Sequence, residues 1–254
     1  MGKLIAGGDS FVWGNELADG NFIGTYSLNT FAALIANRMN LEYYCAAQPG
    51  ASNNAIRRET MDACEKNSDI EFVLVCWTFL GRYEFKFDSS WEQLSSWTII
   101  DDSNIIKKYF QKDDPVIFDW HVKKLARDKE LGIHQFAKVF YHYVGSFEYW
   151  ELYNTLCEIV MLSQYLKLKK IPYLFTTADN CISMTKHFPQ DQTLRTLLNQ
   201  IDFNRWAYFP VGLGFYDWAK ENNYPIGTTH PLEPAHIAAS DILYERIRHI
   251  SGIS

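Results

Sequence analysis

Two short runs, at opposite ends of the 254-residue chain, carry side chains able to do covalent chemistry. Gly8-Asp9-Ser10-Phe11 follows a short apolar stretch, Lys3 to Gly7, that reads as a buried strand ending in a turn. A serine hydroxyl is a weak nucleophile until an adjacent base takes its proton. A strand-to-helix turn exposes that hydroxyl and aims backbone N–H groups at a developing oxyanion. Taken alone, Gly-Asp-Ser is also an ordinary turn in which Asp9 or Ser10 caps a helix. The second run, His230-Pro231-Leu232-Glu233-Pro234-Ala235-His236, leads into a terminal helical pattern from Glu233 to Ile250. Proline at a helix start fixes the entry geometry. A histidine held just ahead of it suits a general base, because its pKa lies near neutrality. Ser10 is therefore the candidate nucleophile and His230 its base, while His236 falls on the face of the terminal helix.

The elements that must bring these runs together alternate. Apolar residues from Thr25 to Met39 recur with helical period, and Glu42 to Ala46 reads as a second strand. Gln48-Pro49-Gly50 is a loop signal, followed by a helix from Ser52 to Asn67 with Ser52 as N-cap. Glu71 to Trp77 is continuously apolar except at its start, as expected of a central parallel strand covered on both faces. Tyr149 to Lys170 is a long helical pattern, Pro172 to Thr177 a further strand, and Phe203 to Val211 a last short one. Such alternation predicts an α/β chain, a three-layer α/β/α domain on a mostly parallel sheet of about five strands. The whole chain, 1–254, reads as one domain. Residues 83–147, rich in Trp, Tyr and Phe and broken by Asp101-Asp102 and Asp113-Asp114, read as an insertion of irregular helices after the third strand. In open α/β sheets the site lies beyond the carboxyl ends of the strands. Ser10, the Gly50 loop, Trp77-Thr78 and Thr177 to Asp179 should thus converge on one edge.

Composition narrows the partners. The net charge is −6 and Lys and Arg form no cluster, which argues against nucleic acid and against docking on anionic membranes. Met1-Gly2-Lys3-Leu4-Ile5-Ala6 is too short for a secretory core, and no run approaches the length of a membrane span. A cytoplasmic location follows as the expectation, in a host cell if the chain is viral. The five cysteines, Cys45, Cys64, Cys76, Cys157 and Cys181, are odd in number and scattered, which predicts reduced thiols and neither a disulfide frame nor a zinc site. There is no phosphate-binding glycine loop, and His121, His134, His142, His187 and His249 show no ligand spacing. No metal or organic cofactor is expected.

Together, the two terminal motifs resemble the SGNH (GDSL-like) family of esterases and lipases. The likeness extends from the N-terminus to about Met61, then over Phe72 to Arg82 and Ile171 to Ile242. It implies a flavodoxin-like fold, Ser10 as nucleophile and His230 as base. Gly50-Ala51-Ser52-Asn53 looks like the family's second block, so the N–H groups of Ser10 and Gly50 would form the oxyanion hole. Two positions depart from the pattern. The family's oxyanion Asn after the third strand is missing from Cys76-Trp77-Thr78-Phe79, which leaves Asn53, Thr78 or Arg82 as replacement donors. The family's acid, three residues before the base, is replaced by Gly227. A backbone carbonyl, Asp217 or Glu233 would then orient His230. Asp9, Trp77, Arg82 and His236 complete the candidates for holding substrate or orienting the pair. The motifs look most like an SGNH-like subgroup encoded by tailed bacteriophages. The implied reaction is hydrolysis of an acyl ester on a small molecule or carbohydrate, O-acetyl groups among them. A non-catalytic binding or assembly protein on the same fold, and an acyltransferase, are the alternatives.

Overall fold

A computed structural model describes residues 2–20, 24–88, 90–102, 104, 105, 108, 115–180 and 190–251. Four parallel strands form the sheet: β1 (Lys3–Gly7), β2 (Glu42–Cys45), β3 (Ile70–Trp77) and, after the insertion, β6 (Tyr173–Thr177), in the order β2-β1-β3-β6. In register, Ile5 pairs with Tyr44 and Val73, and Val75 with Phe175. β1, β3 and β6 are apolar on both faces because helices cover both, while the edge strand β2 is half-buried. Leu4, Ala6, Leu74 and Cys76 point to one side, against α2 (Phe31–Arg38) and the terminal helix Glu233–Ser251. Ile5, Val73, Val75 and Trp77 point to the other, against α3 (Asn53–Lys66) and the long helix Glu148–Lys169. The period of two along a strand divides one hydrophobic run between two cores. Full burial of each such Leu, Ile or Val is worth about 2 kcal/mol.

Three of the helices around the site start where a side chain satisfies a free N–H group. Asp9 accepts from Phe11 N at the start of α1 (Ser10–Trp13), Thr30 from Ala33 N, and Ser52 from Ala55 N. The second helix therefore begins at Phe31 and not at Thr25. Ahead of it, the Asp19 carboxylate accepts from the Ser27 hydroxyl and from Leu28 N. That fixes a turn and leaves Leu28 exposed.

Two further expectations need correction. Phe203 to Val211 adds no fifth strand. It contributes one parallel bridge, Phe175 to Trp206, with Ala207 N donating to Phe175 O. On either side lie tight turns, Phe203–Arg205 capped by Asp202 and Pro210–Gly212. Pro210 has no N–H to give a ladder, and Val211 sits at φ 64°, outside strand geometry.

The insertion is not made of irregular helices alone. It opens with an antiparallel hairpin, β4 (Tyr83–Phe87) and β5 (Ser90–Leu94), and continues through helices Pro115–Glu130 and Ile133–Phe140. Tyr83, Leu94, Ile133, Ala137 and Tyr141 form a small core of their own. Tyr141 Oη donates to Gly81 O, just ahead of the insertion, and Tyr83 Oη donates to Gly145 O, which draws the insertion's two ends together. Asp113-Asp114 and Cys181 lie outside the described residues. Cys45, Cys64, Cys76 and Cys157 carry free thiols. Among the described residues no helix is long and apolar enough to cross a membrane.

Candidate active site

Ser10 is the first residue of α1, at the carboxyl end of β1, and is buried. His230 arrives from the other end of the chain on a tight turn. Gly227 N donates to His230 O, Leu232 N donates to Pro225 O, and Ile226 bridges Pro231. The turn sets His230 Nε2 2.8 Å from Ser10 Oγ. The imidazole and the Phe11 ring meet in an edge-type contact, 5.1 Å between centroids.

The carboxylate against His230 belongs to neither Asp217 nor Glu233. It is that of Glu16, whose Oε1 lies 2.8 Å from His230 Nδ1. Burial raises the Glu16 pKa, but the His230 hydrogen bond and charge and the bonds from Thr229 outweigh it and hold the carboxyl below its ordinary value. An ionised carboxylate only accepts, so Nδ1 carries the proton and Nε2 is left to accept from the Ser10 hydroxyl. Thr228 N, Thr229 N and Thr229 Oγ1 also donate to Glu16. Glu16 itself sits at φ 68°, a left-handed conformation that costs a non-glycine residue on the order of 1 kcal/mol.

Gly227 leaves open the space that the Glu16 carboxylate fills. A Cβ at 227 would stand 2.0 Å from Glu16 Oε2, so any side chain there, an Asp included, would compete for the space the carboxylate fills.

The other candidates have different work. Glu233 accepts from Ala18 N at 2.7 Å and so ties down the segment that carries Glu16. Asp217 accepts from Asn180 N at 3.0 Å and fastens the loop after β6. The Asn53 side-chain amide and both donors of Thr78 are engaged within the protein. Asn53 Nδ2 donates to Thr78 O and Thr155 Oγ1, Thr78 N donates to Asn53 Oδ1, and Thr78 Oγ1 donates to Asp9 Oδ2. Trp77 is wholly buried against Phe175 and belongs to the core. Asp9, also wholly buried, takes Phe11 N on one oxygen and Thr78 Oγ1 and Arg82 Nη1 on the other. Arg82 thereby braces the Asp9–Ser10 turn from the insertion side, with Phe79 beneath its guanidinium.

The backbone N–H groups of Ser10 and Gly50 are placed to serve an oxyanion. Ser10 N and Gly50 N have no acceptor among the described residues. Gln48 N donates to Gly8 O, which fastens the Gly50 loop to the nucleophile turn. Gly50 is at φ 75°, with nothing within 4 Å of the place a Cβ would take. Its residue type is thus fixed by backbone conformation and not by crowding. No group of three or more His, Cys, Asp or Glu among the described residues is arranged to hold a metal.

His236 is buried, stacked on Phe31, and accepts from Phe31 N at 3.1 Å. Burial, with the nearby His230 charge, pushes its pKa down to about 3. It is a neutral link between α2 and the terminal helix.

No family model matches the chain, and no curated protein sequence matches it. Several solved structures resemble it. The psychrotrophic esterase EstA from Pseudoalteromonas sp. has 11% identity and a TM-score of 0.49, over 99% of this chain and 100% of that one. A carbohydrate esterase family 2 enzyme with a carbohydrate-binding domain, from Corynascus thermopiles (Myceliophthora fergusii), has 11% identity and a TM-score of 0.45, over 99% and 67%. A G-D-S-L family lipolytic protein from Desulfitobacterium hafniense has 14% identity and a TM-score of 0.33, over 97% and 99%. At such identities no residue's role passes from one chain to another, and nothing in these likenesses bears on a phage origin.

The buried His236 sets a pH dependence. In the unfolded chain it binds a proton near 6.5, and in the folded chain only near 3. Between those values the unfolded state holds more protons, so stability is full above about pH 6.5 and declines as the pH falls, by at most about 1.4 kcal/mol per pH unit for this group. His236→Asn keeps an acceptor for Phe31 N without the titration. Urea unfolding between pH 7 and pH 4 should show a shallower loss for the variant than for the wild type, whatever its lower starting stability. Equal slopes would contradict the assignment.

Proposed function

We propose that the chain is an SGNH-like serine esterase with a Ser10–His230–Glu16 triad. The observation that carries this reading is the unbroken relay of two 2.8 Å contacts, Ser10 Oγ to His230 Nε2 and His230 Nδ1 to Glu16 Oε1. Both missing features of the family pattern bear on it. The acid absent at Gly227 has a counterpart in Glu16, whereas the third oxyanion donor has none in Asn53 or Thr78.

The chemistry follows from the contacts. Ser10 Oγ attacks the ester carbonyl carbon as its proton passes to His230 Nε2. The imidazolium so formed faces the Glu16 carboxylate, which steadies its charge and fixes its tautomer. The carbonyl oxygen, now an alkoxide, takes hydrogen bonds from Ser10 N and Gly50 N. Collapse breaks the C–O bond to the alcohol, which leaves with the proton from His230. Water then attacks the acyl-Ser10 ester with His230 again as base, releasing the acid and restoring the serine. With two donors in place of three, the oxyanion lacks about 3 kcal/mol of stabilisation unless substrate or Arg82 supplies it. A non-catalytic binding protein on this fold gains nothing from a serine hydroxyl held 2.8 Å from a carboxylate-backed histidine.

A fluorophosphonate probe should label the protein at Ser10, and Ser10→Ala should abolish both labelling and hydrolysis of short acyl esters. Intact protein that is neither labelled nor active would sink the esterase reading. Gly227→Ala tests the acid's seat. The new methyl group should displace the flexible Glu16 carboxylate, lowering kcat/KM by between about ten- and a thousand-fold, with less than about 1 kcal/mol of lost stability. An undiminished rate would show that the carboxylate is not needed where it lies.

A further inference from the structure

A cavity of about 520 Å³ lies between the loop after β2 and the insertion. Its size falls in the range of small-molecule sites. Gly50 and Arg82 line it, so it opens directly beside the candidate oxyanion hole. The opposite wall carries three tryptophans, Trp91 and Trp97 from the hairpin region and Trp120 from helix Pro115–Glu130. That wall is anchored to the catalytic loop. Ser52 N donates to Gln93 Oε1 at 3.0 Å, Gln93 Nε2 donates to Glu84 Oε1 at 2.7 Å, and Arg58 grips both Glu84 oxygens.

The lining chemistry selects among ligands. A long acyl chain wants continuous aliphatic surface, yet only Pro49 and Leu125 are aliphatic here. An anion wants uncompensated Arg or Lys. The four cations of the lining each face a carboxylate: Arg82 with Asp9, Lys123 with Asp119, Lys124 with Asp128, Arg127 with Glu92. His121 adds no charge near neutrality, because burial lowers its pKa to about 4. What remains is flat aromatic surface interleaved with amides and hydroxyls from Gln48, Gln93, Ser95 and Thr98. Aromatic rings cover the C–H faces of a pyranose while such polar groups meet its hydroxyls. We propose that this cavity binds the alcohol side of the ester, and that this alcohol is a neutral oligosaccharide carrying the acyl group. This rests on the esterase reading, and the two can fail separately.

The test has two arms. In the first, Ser10→Ala protein is titrated, by tryptophan fluorescence and calorimetry, with neutral β-linked oligosaccharides of glucose, xylose and N-acetylglucosamine. Saturable binding of at least one series is expected, and binding of none overturns the proposal. In the second, the protein with Ser10 intact is given acetylated mixtures of the same oligosaccharides, p-nitrophenyl acetate and p-nitrophenyl octanoate. Trp91→Ala, at an exposed position, and Trp97→Ala should each lower the ratio of kcat/KM for the acetylated oligosaccharides to that for p-nitrophenyl acetate. The expected drop is about five- to tenfold, the size of one aromatic contact. If the variants instead lower the ratio of octanoate to acetate, the cavity takes the acyl chain and the proposal fails. If p-nitrophenyl acetate itself is inert, the esterase reading fails, whatever the first arm shows.

Discussion

The candidate site depends on one carboxylate, Glu16, lodged in space left vacant by a glycine. Gly227 makes room for its oxygens, Thr228 and Thr229 supply donors, and His230 receives its direction from it. Removing any of these loosens the others. A side chain at 227 would evict the carboxylate, and without the carboxylate the turn that carries His230 has two unpaired N–H groups. The cost is local. Glu16 is held in a left-handed conformation at φ 68°, strain that the surrounding bonds must offset. Glu233 accepting from Ala18 N and Asp9 capping α1 hold the two ends of the segment from Ser10 to Ala18. Ser10 and Glu16 therefore lie on one short, doubly pinned stretch of chain.

Much of this architecture was legible in the sequence because it follows from burial. The strands at Lys3, Glu71 and Tyr173 read clearly because both faces of the sheet are covered and their apolar runs are continuous, while the edge strand at Glu42 is only half-buried. The Ser52 cap and the terminal helix read from local chemistry. Ser10 and His230 read from the two terminal motifs. Glu16 did not, because the pairing is tertiary. Nothing in the spacing of residues 16 and 230 reports that a positive φ turns the Glu side chain toward Gly227. The usable signal was the glycine itself, an acid's usual position emptied, which calls for a replacement from elsewhere. Asp217 and Glu233, the acids that sequence offered, both serve backbone N–H groups instead.

The hairpin of the insertion was missed for a different reason. Tyr83, Phe85 and Phe87 alternate with Glu84 and Lys86, a period of two, but the segment's aromatic density obscured it. The alternation has a structural use. One face of the hairpin, with Tyr83 and Leu94, builds the insertion's own core, while the other sends Glu84 to Arg58 and Gln93 to Ser52. The insertion is in this way fastened to the chain just after the Gly50 loop. A wall so attached can shape what reaches Ser10 without supplying any group to the reaction itself.

The account's central claim is that Glu16 serves as the acid of a triad. Its most direct test is kcat for a short acyl ester with Glu16→Gln, an isosteric change that keeps a hydrogen-bonding side chain in the same space but removes its charge and permits the wrong imidazole tautomer. The account predicts a fall of about 10²- to 10⁴-fold, with Ser10 still present and the fold retained. A rate within a few-fold of wild type in a folded variant would contradict it.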